Sequence, residues 1–311
     1  MFKIWIMNKY LIILSAVALA GILLAAGCAR RSKGPAIVGK VDVYEGFASK
    51  YVEARSIRVW TPEGYDPAVK FDVIYMHDGQ NLYDHTSTWN HQEWGVDEVL
   101  TALMAEGKVR PAIVVGIDNS QTLRFEEYYP SRIVAEAPAG LLPEDFKPLG
   151  DEYLRFIVEE VKPYVDSLYS TLGDPAHTFV MGSSCGGLIS AYALCEHPEV
   201  FGGAACLSTH STLEMPGVKA DMSPMAEAFL GYLRDWFPRG GTHLLYMDCG
   251  DRTIDATYKD TQAAIDELMD TLQGEGERVM HRHFPGAAHC ERDWQARLDV
   301  PLVFLIGVDK V

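Results

Sequence analysis

From residue 71 onward the chain alternates short apolar-rich runs with segments of helical spacing. That alternation limits the available folds more than any other feature of the sequence. Residues 71–76, 112–117, 178–182, 201–207, 243–247 and 279–284 have strand length, and most are apolar on consecutive positions, as expected of strands buried on both faces. Between them, residues 96–106 carry Val96, Val99, Leu100 and Leu103 on one helical face. Residues 151–169 do the same with Leu154, Ile157, Val158 and Val161, and Pro163 is expected to bend that helix. Further helices are predicted over 186–196, 224–237 and 256–272, with a terminal apolar segment at 300–306. Strands that alternate with helices imply an α/β fold, in which a mostly parallel, twisted sheet is covered by helices on both faces. Residues 41–47 and 56–61 alternate apolar and polar side chains and are expected to add antiparallel strands at the N-terminal edge. No linker composition follows Pro35, so residues 41–311 are expected to form a single domain.

The first 27 residues stand apart from that pattern. They hold Lys3 and Lys9, no acidic residue, and an apolar run from Tyr10 to Ala26, the parts of a secretory signal. Met7 is an alternative start, giving Met-Asn-Lys-Tyr before the apolar run. The run ends in Leu24-Ala25-Ala26-Gly27-Cys28, which resembles the lipobox of bacterial lipoproteins. The resemblance implies cleavage before Cys28 and lipidation of that cysteine, so residues 28–40 would be a lipid-attached tether. An uncleaved membrane helix is the alternative, since the run is nearly long enough to span. Arg30, Arg31 and Lys33 would then lie beside anionic head groups. The expected location is the cell envelope, facing the periplasm or the exterior.

With 27 basic and 43 acidic side chains the net charge is −16, and loss of residues 1–27 takes it to −18. Phosphate binding needs clustered Lys and Arg, so nucleic acid is not an expected partner. A neutral small molecule fits this charge better than a polyanion. The six cysteines are too few for a disulfide scaffold. With Cys28 lipidated, Cys185, Cys195, Cys206, Cys249 and Cys290 remain, an odd number that leaves at least one thiol free.

Chemistry enters at Gly182-Ser183-Ser184-Cys185-Gly186, a Gly-x-Ser-x-Gly pattern with a predicted strand before it and a helix after it. In such a nucleophile elbow the serine sits on a strained turn, and flanking glycines let the backbone close. The turn lifts Oγ to the sheet edge and aims a helix N-terminus at a developing oxyanion. An elbow requires an acid and then a histidine later in the chain. His289 follows the last predicted strand and is the candidate base. Asp251 and Asp255 both lie in the loop after residues 243–247; Asp255 is favoured and Asp251 is the alternative. His281 and His283 share a face of one strand and suit structure, and a His-x-His metal reading finds no third ligand at recognisable spacing. No metal and no cofactor are expected.

The blocks His77-Asp78-Gly79-Gln80-Asn81-Leu82, Trp94-Gly95-Val96-Asp97, Gly116-Ile117-Asp118-Asn119, Glu127-Tyr128-Tyr129-Pro130, Gly182 to Gly187 and Phe284-Pro285-Gly286-Ala287-Ala288-His289 carry a wider likeness. Together they resemble the esterase family of α/β-hydrolases that includes enterochelin esterases, feruloyl and acetyl-xylan esterases, the esterase D group and the antigen 85 acyltransferases. The resemblance implies an α/β-hydrolase fold and a triad of Ser184, Asp255 and His289, since relatives carry Thr-x-Asp where Thr253-Ile254-Asp255 stands. It also implies an oxyanion hole built from the N–H of Cys185 and one from Gly79 or Gln80. Cys185 departs from the methionine usual in relatives, but the register of the elbow selects Ser184 as nucleophile.

Trp89, Asn90, Trp94 and Arg124 are candidate substrate-binding residues, and residues 135–149 a candidate lid. The expected activity is hydrolysis of a small carbohydrate-, phenolic- or siderophore-linked ester through an acyl-enzyme. Acyl transfer on the same triad and a non-catalytic binding lipoprotein are the alternatives.

Overall fold

The computed structural model describes residues 37–138, 140–215, 217–274 and 278–308. The signal, lipobox and basic cluster fall outside the described residues. Among those described, no helix is long and apolar enough to cross a membrane.

Eight strands form one sheet: β1 Lys40–Phe47, β2 Arg55–Thr61, β3 Asp72–His77, β4 Ala112–Ile117, β5 Thr178–Ser183, β6 Gly203–Leu207, β7 Leu244–Cys249 and β8 Arg278–His283. Their spatial order is β1-β2-β4-β3-β5-β6-β7-β8. β1 and β2 pair antiparallel, as does β2 with β4, and all further pairs are parallel. The antiparallel edge and parallel remainder follow from the residues: β1 alternates exposed and half-buried positions, whereas β3 to β7 are buried throughout.

Within each buried strand, successive side chains enter opposite layers. Val73 and Tyr75 of β3, Val180 of β5 and Leu245 and Met247 of β7 join one apolar cluster. Ile74 and Met76, Phe179 and Met181, and Leu244 and Tyr246 join the other. The first cluster is covered by Cys185–Glu196, Ser223–Trp236 and Lys259–Leu272, and the second by Val96–Ala105 and Asp299–Ile306. Helix Cys185–Glu196 is buried along nearly its whole surface, which explains its lack of an amphipathic stripe.

Three expectations are corrected. The helix predicted over 151–169 is three pieces, Gly150–Arg155, a π-helical Phe156–Val161 and Lys162–Leu168. Pro163 is the second residue of the last piece, directly after the π-helical turn, and the helical run continues through it. The segment beginning at residue 256 opens as a 3₁₀ turn, Thr253–Tyr258, before Lys259–Leu272. Residues placed in the tether are already docked: Val38 donates its N–H to Asp97 (2.8 Å) and accepts Trp60 Nε1 (2.7 Å), and Lys40 begins β1.

Because strand order reverses around β3, with β4 on one side and β5 on the other, a crevice opens beyond their C-terminal ends. Ligands of open α/β sheets bind at such a switch point.

Candidate active site

β5 delivers the chain to Ser184 with φ 57° and ψ −124°, a conformation that residues with a Cβ rarely adopt. Several contacts hold it there. Ser184 donates its N–H to Leu207 O (3.0 Å), and its carbonyl accepts the N–H groups of Gly187, Leu188 and His210, each at 3.1 Å. A Cβ on Gly182 would stand 2.8 Å from the backbone of Gly186, so only glycine lets the turn close this tightly. Surroundings that over-determine a strained residue are characteristic of functional sites.

The loops that follow β7 and β8 are fastened to each other. Asp251 and Arg252 donate their N–H groups to Ala287 O (3.2 and 3.1 Å), and Arg252 bridges Ala288 in parallel. Thr253 Oγ1 accepts the His289 N–H at 2.9 Å. Within this double loop His289 Nδ1 lies 2.5 Å from Asp255 Oδ1. The other oxygen of Asp255 accepts Ser208 Oγ and the Gly250 N–H, both at 2.6 Å. Burial works to raise the pKa of Asp255, but the His289 ring and these donors outweigh it and hold the carboxyl below its ordinary value. Asp251, the alternative acid, is exposed and accepts the Gly286 N–H at 2.8 Å, bracing the turn ahead of His289.

Behind this pair lies a buried polar network that the sequence did not announce. Ser208, itself at positive φ, accepts Trp294 Nε1 (3.0 Å) and an Arg297 guanidinium N–H (2.8 Å) while donating to Asp255. Its one donor and two acceptor sites are all used. Arg297 grips Asp248 through Nε (3.1 Å) and a terminal nitrogen (2.8 Å), with both side chains almost fully buried. Trp294 belongs to both core and cavity lining: its ring meets His289 edge-on at 5.1 Å and Trp94 at 5.4 Å. No spacing rule links Asp248, Ser208 and Arg297, since they meet only through the sheet register and the final helix.

Across the crevice, β3 ends at His77 and Asp78 turns the chain with φ 56°. A Cβ on Gly79 would approach the Gly116 carbonyl carbon to 2.6 Å, so the Gly79–Asn81 turn lies flat against β4. Gln80 faces the cavity and accepts the Asn119 N–H through its side chain (3.2 Å). As first-turn residues, Gln80 and Cys185 have no acceptor for their N–H groups within their own helices. The Cys185 thiol is buried; burial raises its pKa against the opposing charge of Arg124 and keeps it protonated.

The residues expected to meet substrate divide into distinct groups. Trp89 is 84% exposed at the cavity mouth. Asn90 lines the cavity and donates to Glu291 (2.7 Å). Trp94 is packed in the core at 2% exposure and presents only an edge to the cavity. Arg124 spends its fork on Asp78, with Nε and a terminal nitrogen each at 2.8 Å. Burial would raise the Asp78 pKa, but Arg124 and Asn119 overcome it and keep the carboxyl low. The lid expectation does not hold for the described residues of 135–149: none lines the cavity, and Leu141, Leu142 and Phe146 pack on the larger core.

Ser184, His289 and Gln80 thus open into one cavity of about 720 Å³, rimmed by amides and hydroxyls such as Asn119, Gln121 and Ser87. A mostly parallel sheet that carries a serine on a left-handed strand-to-helix turn, with the antiparallel edge seen here, defines an α/β-hydrolase. Residues 49–305 match the family described as "Putative esterase", and the chain belongs to that family. Uncharacterized protein YbbA of Bacillus subtilis (strain 168) is 25% identical over 158 residues, which cover 50% of this chain and 56% of the relative. The chain spans less than two thirds of the length of the curated relatives it matches. Among solved structures, an enterobactin esterase from Shigella flexneri superposes with a TM-score of 0.60 at 21% identity, over 88% of this chain and 60% of that one. A ferulic acid esterase from Anaeromyces mucronatus superposes with a TM-score of 0.55 at 18% identity, over 88% and 93% of the two chains. At these identities the likeness is one of fold.

Proposed function

We propose that the chain is a serine carboxylesterase in which Ser184 is the nucleophile, His289 the general base and Asp255 the residue that orients it. The observation that carries this reading is the buried Asp255–His289 pair, joined at 2.5 Å and opening into the same cavity as a serine held at φ 57°. His289 takes the Ser184 proton as Oγ attacks the ester carbonyl, then returns it to the departing alcohol. Water, deprotonated by the same histidine, cleaves the acyl-enzyme and frees the acid. The N–H groups of Cys185 and of Gln80 or Gly79 stabilise the tetrahedral oxyanion, an interaction worth about 3–4 kcal/mol per donor. This chemistry requires no cofactor.

The cavity rim of amides, hydroxyls and one exposed tryptophan suits a small, neutral ester with a hydroxylated or aromatic acid or alcohol part. Feruloyl sugars and catechol-bearing lactones have that chemistry, and the fold neighbours named above are an enterobactin esterase and a ferulic acid esterase. The lipobox-like run before Cys28 supports attachment at the cell envelope through a lipidated cysteine, which would present the cavity to extracytoplasmic esters.

The test is Ser184→Ala assayed with p-nitrophenyl acetate. Turnover should fall by about 10⁴-fold or more, and unchanged turnover would remove Ser184 from the mechanism. A panel of an aryl acetate, a feruloylated sugar and a catechol lactone, ranked by kcat/KM on the wild-type chain, then selects the substrate class.

A further inference from the structure

Away from the cavity, the last two strands and the helix that covers them bring together a second group of reactive side chains. β7 and β8 pair in register so that Cys249 stands opposite His283 and Met247 opposite His281. All four side chains therefore point to the face covered by Lys259–Leu272, the layer that Met247 shares with Ile265 and Leu268. Cys249 Sγ lies 3.2 Å from His283 Nδ1. One turn of the covering helix supplies Asp266, which bonds His281 Nδ1 through one oxygen and His283 Nε2 through the other at 2.9 Å. Gln262, on the same helix face, meets His281 Nε2 at 3.2 Å. Cys249 Sγ and a ring nitrogen of each histidine lie within 4.8 Å of one another. The third ligand that spacing along β8 did not provide comes from the neighbouring strand.

We propose that Cys249, His281 and His283 form a binding site for a divalent cation of the zinc class, with Asp266 as its outer carboxylate. The donor set decides the class: one thiolate with two imidazoles suits Zn²⁺ and its neighbours, whereas Mg²⁺ and Ca²⁺ require oxygen ligands. The hydrogen bonds of His283 have the arrangement that metal-bound histidines show. Its Nδ1 faces the sulfur and its Nε2 is held by a carboxylate, which fixes the tautomer and raises the basicity of the ligating nitrogen. Tetrahedral Zn–S and Zn–N bonds of about 2.3 and 2.0 Å set sulfur and nitrogen roughly 3.5 Å apart, a separation that Cys249 Sγ and His283 Nδ1 already have within a few tenths of an ångström. Binding converts the Cys249 thiol to a zinc thiolate and releases its proton to solvent. The side chain of His283 is half exposed while that of His281 is nearly buried, so the fourth position opens at the sheet edge and accepts water.

The site lies at the root of the loops that carry Asp255 and His289. Gly250, next to Cys249, donates to Asp255, and Phe284, next to His283, donates its N–H to Cys249 O (2.9 Å). A bound cation would tie these two strand ends together, so its first consequence is on stability.

The test uses the full chain, reduced with a phosphine, stripped of metal by a chelator and titrated with Co²⁺ and then Zn²⁺. One equivalent of Co²⁺ should give visible d–d bands and a sulfur-to-cobalt charge-transfer band, and Zn²⁺ should displace it and raise Tm. Cys249→Ser should lose the charge-transfer band. Should Cys249→Ser fail to fold, His283→Ala, at a half-exposed position, decides: it should weaken binding at least about 100-fold, and Asp266→Asn about 10–100-fold. His289→Ala should bind as the wild type does. Absence of saturable binding, full binding by His283→Ala, or loss of binding in His289→Ala would each overturn the proposal.

Discussion

At Asp255 each carboxylate oxygen has a partner of defined purpose. Oδ1 faces His289, and Oδ2 is fixed by a backbone N–H and by a serine whose own bonding capacity is exhausted. Replacement by asparagine would keep the shape but present an amide where the imidazole N–H needs an anion. Asp255→Asn should therefore lower kcat on p-nitrophenyl acetate by about 10⁴-fold. Asp251→Asn, at an exposed carboxylate that accepts the Gly286 N–H, should change kcat by less than about tenfold. The comparison is made by steady-state kinetics on the two variants, and loss confined to Asp251→Asn would reassign the acid. Sequence order left both aspartates open because each lies within a few residues of the same strand end. Only the direction of their side chains separates them, and that depends on the 3₁₀ turn at Thr253–Tyr258. That Ser184 and His289 would face one cavity was legible because motif and chain order constrain them. That Arg124, which lines the cavity, also grips Asp78 could not be read from its place in the sequence.

The final helical segment has a role that its short sequence conceals. Arg297 follows Glu291–Gln295 and reaches under the site to Asp248 near the end of β7, so the ion pair links the terminal layer to the strand that leads into the Asp255 turn. Removing one partner leaves a buried charge uncompensated, which costs about 3–5 kcal/mol. Arg297→Leu should lower the unfolding free energy in urea by that amount, and an effect below about 1 kcal/mol would show that water replaces the guanidinium. Elements as such were well forecast: strands β1 to β8 fall within a few residues of the apolar runs that predicted them. The failures were local. A π-helical turn at Phe156–Val161 leaves no mark in apolar spacing. Residues 135–149 were read as a lid from their proline and acid content, although Phe146 packs on Tyr129 instead.

The whole molecule's response to acid follows from groups far apart in sequence. Burial lowers the pKa of His77 to about 3, with Asp78 opposing and Arg124 assisting, and burial lowers that of His210 to about 4. Both stay neutral in the fold but charge near pH 6.5 once unfolded, so their contribution is complete above that pH and is lost as pH falls toward 3–4. Asp97 opposes them: burial and the adjacent Glu98 raise its pKa, so its contribution favours the fold at low pH and fades as pH rises. The unfolding free energy should therefore decrease from pH 6.5 to 4.5, by at most about 1.4 kcal/mol per pH unit for each net proton taken up. Asp97→Asn removes the opposing group and should steepen that decrease. Urea midpoints at pH 7 and pH 5 for both chains measure it, and equal slopes would sink the assignment. None of these three groups was visible as a titrating residue in the sequence, because burial is a property of the assembled layers.

One consequence concerns time. Ser184, the proposed nucleophile, follows the central strand β5, whereas Asp255 and His289, the proposed acid and base, follow β7 and β8, the last two strands to be synthesised. On that proposal, a chain still emerging holds Ser184 without the residues that would activate it. With the proposed triad, the molecule would stay inert toward esters until its final strand has docked, so biosynthesis itself would separate the making of this esterase from its use.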